Sequence, residues 1–440
     1  MTTPIYDFAR RYADSDAVRG HMPGHKGKPL LGCEPLDLTE IAGADELFAP
    51  DGIIAESEAN AGKIFGCRTL YSAEGSSLCI RAMLYLAMKS AQEHGKPPVI
   101  AAARNVHKTY LTAAALLGFE TVWLPQDPAR SYLSGGFVLP EACLEQHPAA
   151  LYLTSPDYLG GIADIRAAAD FCHRHGMLLL VDNAHGAYLK FLPEPLHPTD
   201  LGADLCCDSA HKTLPVLTGG AYLHIAETAP EICHSSAKHA MALFASTSPS
   251  YLIMASLDLC NAYLSNQFTD DLRETIARIR QLRDTLSAQG WDCTGDEPLK
   301  LTLLPKASGY PGTALADILR NHHIYAEFAD PDHVVLMFSP QNAAADYERI
   351  ANVLSQVKRR AAITERPPQM TCPDCVMSPR ETVLAVTERL PVMQCIGRIC
   401  AEFAVSCPPA VPVVMCGERI SAEAAACMLY YGIEQCTVVK

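Results

Sequence analysis

Apolar runs of strand length alternate with helical patterns between residues 64 and 225, and this alternation is the main regularity of the chain. Apolar positions at helical spacing predict helices over residues 78–92, 107–117 and 164–175. Short apolar runs predict strands over residues 99–103, 121–124, 150–153, 177–182, 204–207 and 221–224. Strands that alternate with helices in this way favour an α/β fold with a mostly parallel sheet.

The pattern changes after residue 250. One long helix is predicted over residues 252–286. A β-α-β-β-α order follows, which is typical of a small α+β domain, over residues 299–304, 314–321, 324–328, 334–338 and 343–357. We therefore expect an irregular N-terminal arm (1–60), a large domain (61–260), a small α+β domain (261–363) and, after a linker, a short C-terminal module (370–440).

Length and composition fit two or three globular domains, with 440 residues, 49% of them hydrophobic and 19% charged. The net charge of −14 disfavours a nucleic acid or an anionic membrane surface as partner, and it is compatible with a cationic substrate. No apolar run reaches the length of a membrane helix, and the N-terminal sequence lacks the pattern of a secretory signal. We expect a cytoplasmic protein.

The chain has 18 cysteines, and many of them lie inside apolar segments, where a thiol packs like a small hydrophobic group. Reduced core thiols are the expected state. Cys372 and Cys375 have the spacing of half a structural zinc site, but four ligands are needed and no second pair lies nearby in the sequence. We expect no bound metal.

Polar residues follow several of the predicted strands: Arg104 and Asn105, Thr154 and Ser155, Asp182, and Asp208. Ligands of open α/β sheets bind outside the carboxyl ends of the strands. These positions therefore predict a binding site at one edge of the sheet.

A glycine and two hydroxyl groups, Gly75, Ser76 and Ser77, open the first strong helix pattern. The N-terminus of a helix attracts anions, so the segment could hold a phosphate group. An ordinary serine N-cap is the alternative.

Lys212 follows a predicted strand, and its amine could form a Schiff base with pyridoxal phosphate. Asp182 ends another strand and could pair with the protonated ring nitrogen of that cofactor, while His107 could stack on the ring. Taken singly, each residue has a simpler explanation: a solvated lysine, a strand-end cap and a capping histidine. Their occurrence in one chain, after a phosphate site, favours a pyridoxal phosphate enzyme.

The chain resembles the Orn/Lys/Arg decarboxylases, which have an aspartate-aminotransferase-type fold, in their short bacterial form. The resemblance covers most of the chain, and its most specific motif is SAHKTLP at 209–215. The other matching segments are HMPGHKG (21–27), DLTE (37–40), GADEL (43–47), TSPSY (247–251), GRI (397–399) and GERI (417–420).

This resemblance implies a role for each matching residue. Lys212 would bind the cofactor covalently, Asp182 would pair with its ring nitrogen, and His107 would stack on the ring. The other implied cofactor contacts are Gly75, Ser76, Ser77, Ser209 and His211, with His185 or Ala184 beside the ring. Thr247 or Ser248 would reach the phosphate of a neighbouring subunit, which implies a homodimer or a larger homo-oligomer.

The implied reaction is decarboxylation of lysine, arginine or ornithine to an amine of polyamine metabolism and CO2. Glu418, Asp45 and Glu74 are candidate contacts of the substrate, and a solvated acidic face is the alternative for Asp45. Other pyridoxal phosphate chemistry, such as transamination, or a non-catalytic regulator remains the alternative function. The chain departs from the family at Glu74, where asparagine is usual, and at Cys67, Cys416 and the segment 406–410.

Overall fold

The computed structural model describes residues 1–125, 136–406 and 411–440. Its helices are α1 (Pro4–Ala13), α2 (Ile53–Phe65), α3 (Gly75–Glu93), α4 (Lys108–Leu117), α5 (Ile165–Arg174), α6 (Ala210–Thr213), α7 (Glu231–Ala242), α8 (Tyr251–Leu264), α9 (Phe268–Ala288), α10 (Gly312–Asn321), α11 (Ala344–Gln356), α12 (Pro379–Leu384) and α13 (Ala422–Tyr430). Within these described ranges, no helix is both long enough and apolar enough to span a bilayer.

The strands complete the framework. They are β1 (Arg68–Ser72), β2 (Val99–Ala102), β3 (Glu120–Trp123), β4 (Ala150–Thr154), β5 (Leu178–Asp182), β6 (Leu205–Asp208), β7 (Ala221–Ile225), β8 (Cys293–Thr294), β9 (Lys300–Leu303), β10 (Phe328–Ala329), β11 (Val334–Met337), β12 (Thr387–Pro391), β13 (Ala404–Ser406), β14 (Pro412–Met415) and β15 (Gln435–Val439).

The predicted α/β fold is confirmed by a seven-stranded sheet with the order β1-β7-β6-β5-β4-β2-β3. Strands β4, β5 and β6 pair in parallel, and β7 runs antiparallel to both β6 and β1. Almost every residue of β4 to β7 is buried. This double-sided burial explains why these strands have continuous apolar sequences rather than an alternating pattern.

By contacts, the chain divides into two compact units. The first contains Met1–Ile100, His147–Ser155 and Asp164–Asp271, and the second contains Ala101–Gln146, Pro156–Ala163 and Leu272–Lys440. The second unit includes an antiparallel sheet of order β10-β11-β9-β8 and the antiparallel pairs β12–β15 and β13–β14. The division into an arm, two domains and a C-terminal module stays a prediction.

Three local predictions were wrong. The arm was expected to be irregular, but it contains α1 and α2. The long helix predicted over residues 252–286 is two helices, α8 and α9, which are separated by residues 265–267. The strand predicted over residues 324–328 is reduced to β10, whose two residues pair with β11. Strand β1, which was not predicted, forms an edge of the large sheet.

The N-terminal helix α1 is held by a carboxylate from α8. Asp258 is fully buried, and one of its oxygens accepts hydrogen bonds from the backbone N–H groups of Ile5 (2.9 Å) and Tyr6 (3.0 Å). The other oxygen accepts a hydrogen bond of 2.5 Å from the Ser57 hydroxyl. Burial raises the pKa of Asp258 to about 6, although these hydrogen bonds oppose the increase.

Replacing this carboxyl group should change how stability depends on pH. Because the pKa of Asp258 is higher in the folded chain than its ordinary value of 3.8, its stabilising contribution is present at low pH and is lost as pH rises through about 6. Between pH 8 and pH 5 the wild-type protein should gain about 1.4 kcal/mol from this group. Asp258→Asn should remove that gain, as measured by urea unfolding at both pH values.

Asparagine can keep the hydrogen bonds at this position, since its carbonyl oxygen accepts from α1 and its amide donates to Ser57. The control is Asp16→Asn, because Asp16 is an exposed carboxylate close in sequence to α1. An unchanged pH dependence in Asp258→Asn would contradict the assignment.

Candidate active site

Parallel pairing brings two predicted site segments to one edge of the sheet. The register of β5 and β6 places Asp182 beside Cys207, so Asp182 and Asp208 end neighbouring strands. Residues that follow β5 and β6 therefore emerge side by side at the carboxyl edge, which is where open α/β sheets bind ligands.

Asp182 is fixed in this position by several contacts. It is 2% exposed, and its carboxylate accepts hydrogen bonds from the Tyr152 hydroxyl (3.1 Å) and the backbone N–H of Ala184 (3.2 Å). Tyr152 belongs to the neighbouring strand β4 and is itself fully buried. A buried carboxylate held in this way can face a cation at the edge of the sheet without reorganising.

Lys212 lies on α6, a helix of only four residues, directly after β6. Its Nζ atom is 3.0 Å from Nε2 of His185, which follows β5. The preceding residue, His211, is tied to Gly220 through both its backbone N–H and its ring Nδ1. The lysine amine and the His185 imidazole are thus close enough to exchange a proton.

The predicted phosphate site lies at the start of α3, a helix of 19 residues. Gly75 has φ = +72°, a left-handed conformation that favours glycine, and its N–H donates to the carbonyl of Gly219 (2.6 Å). The hydroxyl of Ser209 donates to that of Ser76 (2.8 Å). This bond connects the helix start with the lysine segment.

These residues fit pyridoxal phosphate. The donor set within the first unit combines a lysine amine, a buried carboxylate and two hydroxyls at the N-terminus of a long helix. Those groups match, in turn, an aldehyde, a pyridinium nitrogen and a phosphate. The residue types that are present are therefore those needed to hold this cofactor.

Glu74 is engaged near the same helix. The structure places this exposed side chain at the N-cap of α3, where it does not cap the helix; it accepts a hydrogen bond of 2.7 Å from the backbone N–H of Ser246. The following residues, Thr247 and Ser248, are exposed. The Glu74 carboxylate thus holds the segment that carries the expected intersubunit contact, and this bond explains how it is accommodated beside the predicted phosphate site.

Asp45 is committed to the backbone. Its carboxylate accepts hydrogen bonds from the N–H groups of five residues: Glu46, Asp51, Gly52, Ile54 and Ala55. Partial burial raises its pKa, but these hydrogen bonds outweigh that effect and lower the pKa overall. Asp45 therefore organises the turn that leads into α2.

His107 and Glu418 belong to the second unit. His107 is the N-cap of α4, and its ring Nδ1 accepts a hydrogen bond from the backbone N–H of Thr109 (3.3 Å). Glu418 is 1% exposed and forms two hydrogen bonds with Arg104, of 2.6 and 3.1 Å. It also accepts one from the backbone N–H of Met415 (2.8 Å).

The Arg104–Glu418 pair was not predicted, although Arg104 had been noted as a polar residue at a strand end. Both side chains are almost completely buried, and a cavity of about 280 Å³ lies beside Glu418. Its lining includes Trp123, Met377 and Cys416. The only signal in the sequence was an arginine at the end of an apolar strand, which in a folded chain needs a buried anion.

Two groups of possible metal ligands occur among the described residues. They are His197, Asp208 and His224, which are fully buried, and Asp330, Asp332 and His333. In the second group Asp332 already pairs with Lys306 (2.7 Å). None of the 17 cysteines within the described ranges is in a disulfide, and Cys372 and Cys375 are exposed.

Comparison with known proteins decides the family. The models of the Orn/Lys/Arg decarboxylase major domain and C-terminal domain match residues 3–302 and 359–436. The chain belongs to the Orn/Lys/Arg decarboxylase family. The motifs that suggested this resemblance, including SAHKTLP, fall within the matched ranges.

Relatives of this decarboxylase-family chain match it over nearly its full length. It is 30% identical to an arginine decarboxylase of Bacillus subtilis, with 96% of this chain and 92% of the relative covered. It is 31% identical to the uncharacterized protein YaaO of the same organism, with 96% and 93% covered.

Solved structures share the fold. The lysine decarboxylase LdcF of Francisella novicida matches 100% of this chain and 81% of its own, with a TM-score of 0.82 and 17% identity. The constitutive lysine decarboxylase of E. coli matches 100% and 82%, with a TM-score of 0.79 and 17% identity.

Neutralising Glu418 should be costly, because it leaves Arg104 buried without its partner charge. We expect Glu418→Gln to lower the free energy of unfolding by about 3–5 kcal/mol. The matched control is Glu388→Gln: Glu388 pairs with Arg398, but about a third of each side chain is exposed. That change should cost no more than about 1 kcal/mol. If the two variants lose the same free energy of unfolding in urea, burial of the Arg104–Glu418 pair does not increase its contribution to stability.

Proposed function

We propose that this member of the family decarboxylates a basic amino acid and uses pyridoxal phosphate as its cofactor. The observation that carries the proposal is the approach of Lys212 Nζ to His185 at the sheet edge where Asp182 is buried. A lysine amine, an imidazole and a fixed carboxylate at one edge are the groups that this chemistry needs.

In this proposal, Lys212 would hold the cofactor covalently, and its amine would donate a proton to the α carbon of the substrate. His185 can take or return the proton of the lysine amine across 3.0 Å. His107 would stack on the cofactor ring, and His211 would keep the lysine segment against Gly220.

The remaining groups would bind the cofactor and polarise its ring. Ser76, Ser77 and Ser209, with the dipole of α3, would hold the phosphate, and Asp182 would keep a proton on the ring nitrogen. When bound, pyridoxal phosphate supplies a cationic ring that accepts the electrons left as CO2 departs.

Arginine is our first choice among the three substrates. Its support is that the near-full-length relative from Bacillus subtilis is named an arginine decarboxylase, whereas the lysine decarboxylases share only 17% identity with this chain. Glu74 remains a candidate contact of the distal cation, whereas Glu418, whose oxygens are held by Arg104, would act on the substrate indirectly. For Asp45, we propose an indirect role, through the turn that it organises. The amine product would serve polyamine synthesis.

The purified protein should bind pyridoxal phosphate and release labelled CO2 from carboxyl-labelled arginine, with less from lysine or ornithine. Borohydride reduction should attach the cofactor to Lys212, as located by peptide mass spectrometry. Lys212→Ala should lose both attachment and turnover. Asp182→Asn should keep attachment but lose about 100-fold or more in turnover, since one preorganised electrostatic contact is removed.

The matched control is Lys190→Ala, a lysine on the same unit that pairs with Asp200. A keto acid product would indicate transamination instead, and bound cofactor without any turnover would indicate a regulator. Failure to take up pyridoxal phosphate would refute the proposal.

We also propose a homodimer or a larger homo-oligomer in which Thr247 or Ser248 reaches the partner's cofactor site. In support, Leu30 and Leu31 are 88% and 89% exposed. Their backbone N–H groups both donate to the carboxylate of Glu34, at 2.8 and 2.6 Å. A hydrogen-bonded turn that holds two leucines in solvent suits a surface covered by a second copy.

We also propose a cytoplasmic location. Its support is that the 17 cysteines within the described ranges form no disulfide, which is typical of a reducing compartment.

Replacing both leucines should weaken this association, because it removes apolar area from the contact. We expect the Leu30→Ser, Leu31→Ser double variant to shift towards monomer in light scattering coupled to size exclusion, at concentrations where the wild-type protein is dimeric. The control is Leu217→Ser, which changes an exposed leucine elsewhere on the first unit. An unchanged mass in the double variant would exclude this turn from the interface.

A further inference from the structure

A buried charge cluster lies directly behind the lysine segment and takes no part in the chemistry proposed above. Asp208, His197 and His224 are all 0% exposed. One oxygen of Asp208, Oδ2, lies 3.1 Å from Nε2 of His197 and 3.1 Å from Nε2 of His224. The three residues come from the end of β6, from the segment before it and from β7.

The protons of this cluster can be assigned from its geometry. An ionised carboxylate only accepts hydrogen bonds, so both imidazoles must carry hydrogen on Nε2. Their Nδ1 atoms face threonine hydroxyls, Thr199 for His197 (2.8 Å) and Thr69 for His224 (3.0 Å). A hydroxyl can donate or accept, so each ring can be neutral or protonated in place. Because all four ring nitrogens are engaged, the cluster is a hydrogen-bond network and not a vacant cation site.

The cluster stays charged inside the protein. Burial raises the pKa of Asp208, but the two imidazoles outweigh it and hold the pKa well below its usual range. Burial lowers the pKa of His224, and the Asp208 charge more than reverses this, so the pKa is raised. The titratable groups that feel the Asp208 charge include three thiols and a phenol, and burial together with that charge raises the pKa of each: Cys79, Cys206, Cys207 and Tyr222. Cys67 lies 3.8 Å from His224.

The second oxygen of Asp208 connects the cluster to the site. Oδ1 accepts a hydrogen bond of 2.7 Å from the side-chain amide of Asn183. Asn183 stands between Asp182 and His185, so one carboxylate joins the turn after β5 to the segment that begins at Ser209. Gly186 leaves the room that this side chain occupies, since a Cβ atom at residue 186 would lie 2.0 Å from the Oδ1 of Asn183.

The lysine segment needs such support. Helix α6 has only four residues, and a single helical turn does not maintain itself in the absence of tertiary contacts. The position of Lys212 relative to His185 must therefore be imposed by the residues on either side of the turn. Asp208, the last residue of β6, directly precedes this segment in the chain, and its side chain contacts the turn after β5 through Asn183.

We propose that Asp208 is a positioning residue that holds the Asp182–His185 turn in register with the Ser209–Lys212 segment, while His197 and His224 fix its carboxylate from behind. The proposal rests on the function proposed above for Lys212 and Asp182. Asp208 acts through Asn183 and through the backbone and contacts neither the lysine amine nor the His185 ring in the contacts described.

The same strand offers a matched control. Asp204, just before β6, is 4% exposed and accepts hydrogen bonds from the backbone N–H of Leu179 (2.7 Å) and from His173 (3.2 Å). It is another buried aspartate with a histidine partner, at the opposite end of β6. If Asp208 had only a structural role, Asp204→Asn and Asp208→Asn would have similar effects on cofactor binding and on Lys212 labelling.

Asp208→Asn should still fold. If the amide nitrogen takes the place of Oδ2, both imidazoles can move their protons to Nδ1, donate to their threonines, and accept the two amide hydrogens on Nε2, while Oδ1 still accepts from Asn183. We expect the variant to bind pyridoxal phosphate about 10- to 100-fold more weakly and to shift the pH midpoint of the bound cofactor's absorbance, because the lysine and its partners are misplaced. Asp204→Asn should keep the cofactor affinity within about twofold of wild type and leave the pH midpoint unchanged, even if its midpoint of urea unfolding falls as much as that of Asp208→Asn.

A second measurement does not depend on the cofactor. In the cofactor-free protein, the rate of acetylation of Lys212 can be followed by peptide mass spectrometry, with Lys190 as the internal reference. Asp208→Asn and Asn183→Ala should each change the rate at which Lys212 is acetylated. In the double variant, the change in rate should be smaller than the product of the two single changes, because both variants break the same Asn183–Asp208 hydrogen bond.

The outcomes separate the two proposals. If wild-type protein binds no pyridoxal phosphate, the proposed function fails, and the labelling experiment still tests the link. If Lys212 labelling and cofactor binding in Asp208→Asn match either wild type or Asp204→Asn, the positioning role of Asp208 is overturned.

Discussion

The parallel pairing of β5 with β6 is the constraint on which the candidate site depends. Its register sets Asp182 beside Cys207, so the residues that follow each strand start from adjacent points. Side chains separated by 27 positions in sequence, His185 and Lys212, then meet within hydrogen-bond distance. A one-residue slip would turn the last side chain of β6 to the other face of the sheet, and the cluster around Asp208 would be lost.

The strands and helices that the sequence predicted well are those whose burial is uniform. Helix α3 and strands β4, β5 and β6 are apolar along most of their length, so their sequence pattern and their environment agree. The prediction for the arm was wrong because it depended on a distant partner. Helix α1 is polar in composition, and its start is satisfied by Asp258, more than 250 residues away. No local pattern carries that information.

For the site, the sequence indicated which residues take part better than it indicated the hydrogen bonds and ion pairs that those residues form. Lys212, His185, Ser76 and Ser209 lie near one another as a shared site would require, and their motifs were visible in the sequence. The partner of Glu418 was not, because an ion pair between a strand end and a C-terminal motif leaves no trace in spacing. Asp45 illustrates the reverse case: it has the charge of a substrate contact, but its oxygens are used by backbone N–H groups.

The tie between α1 and Asp258 has a consequence for synthesis of the chain. A ribosome makes residues 4–13 early, but the carboxylate that satisfies the first N–H groups of α1 is added about 250 residues later. Tyr251 likewise donates to the carbonyl of Asp45 (2.7 Å), so a second fastening of the arm is equally late. The nascent arm therefore stays undocked until α8 has emerged, and a segment that is translated well before α8 is fixed only after it.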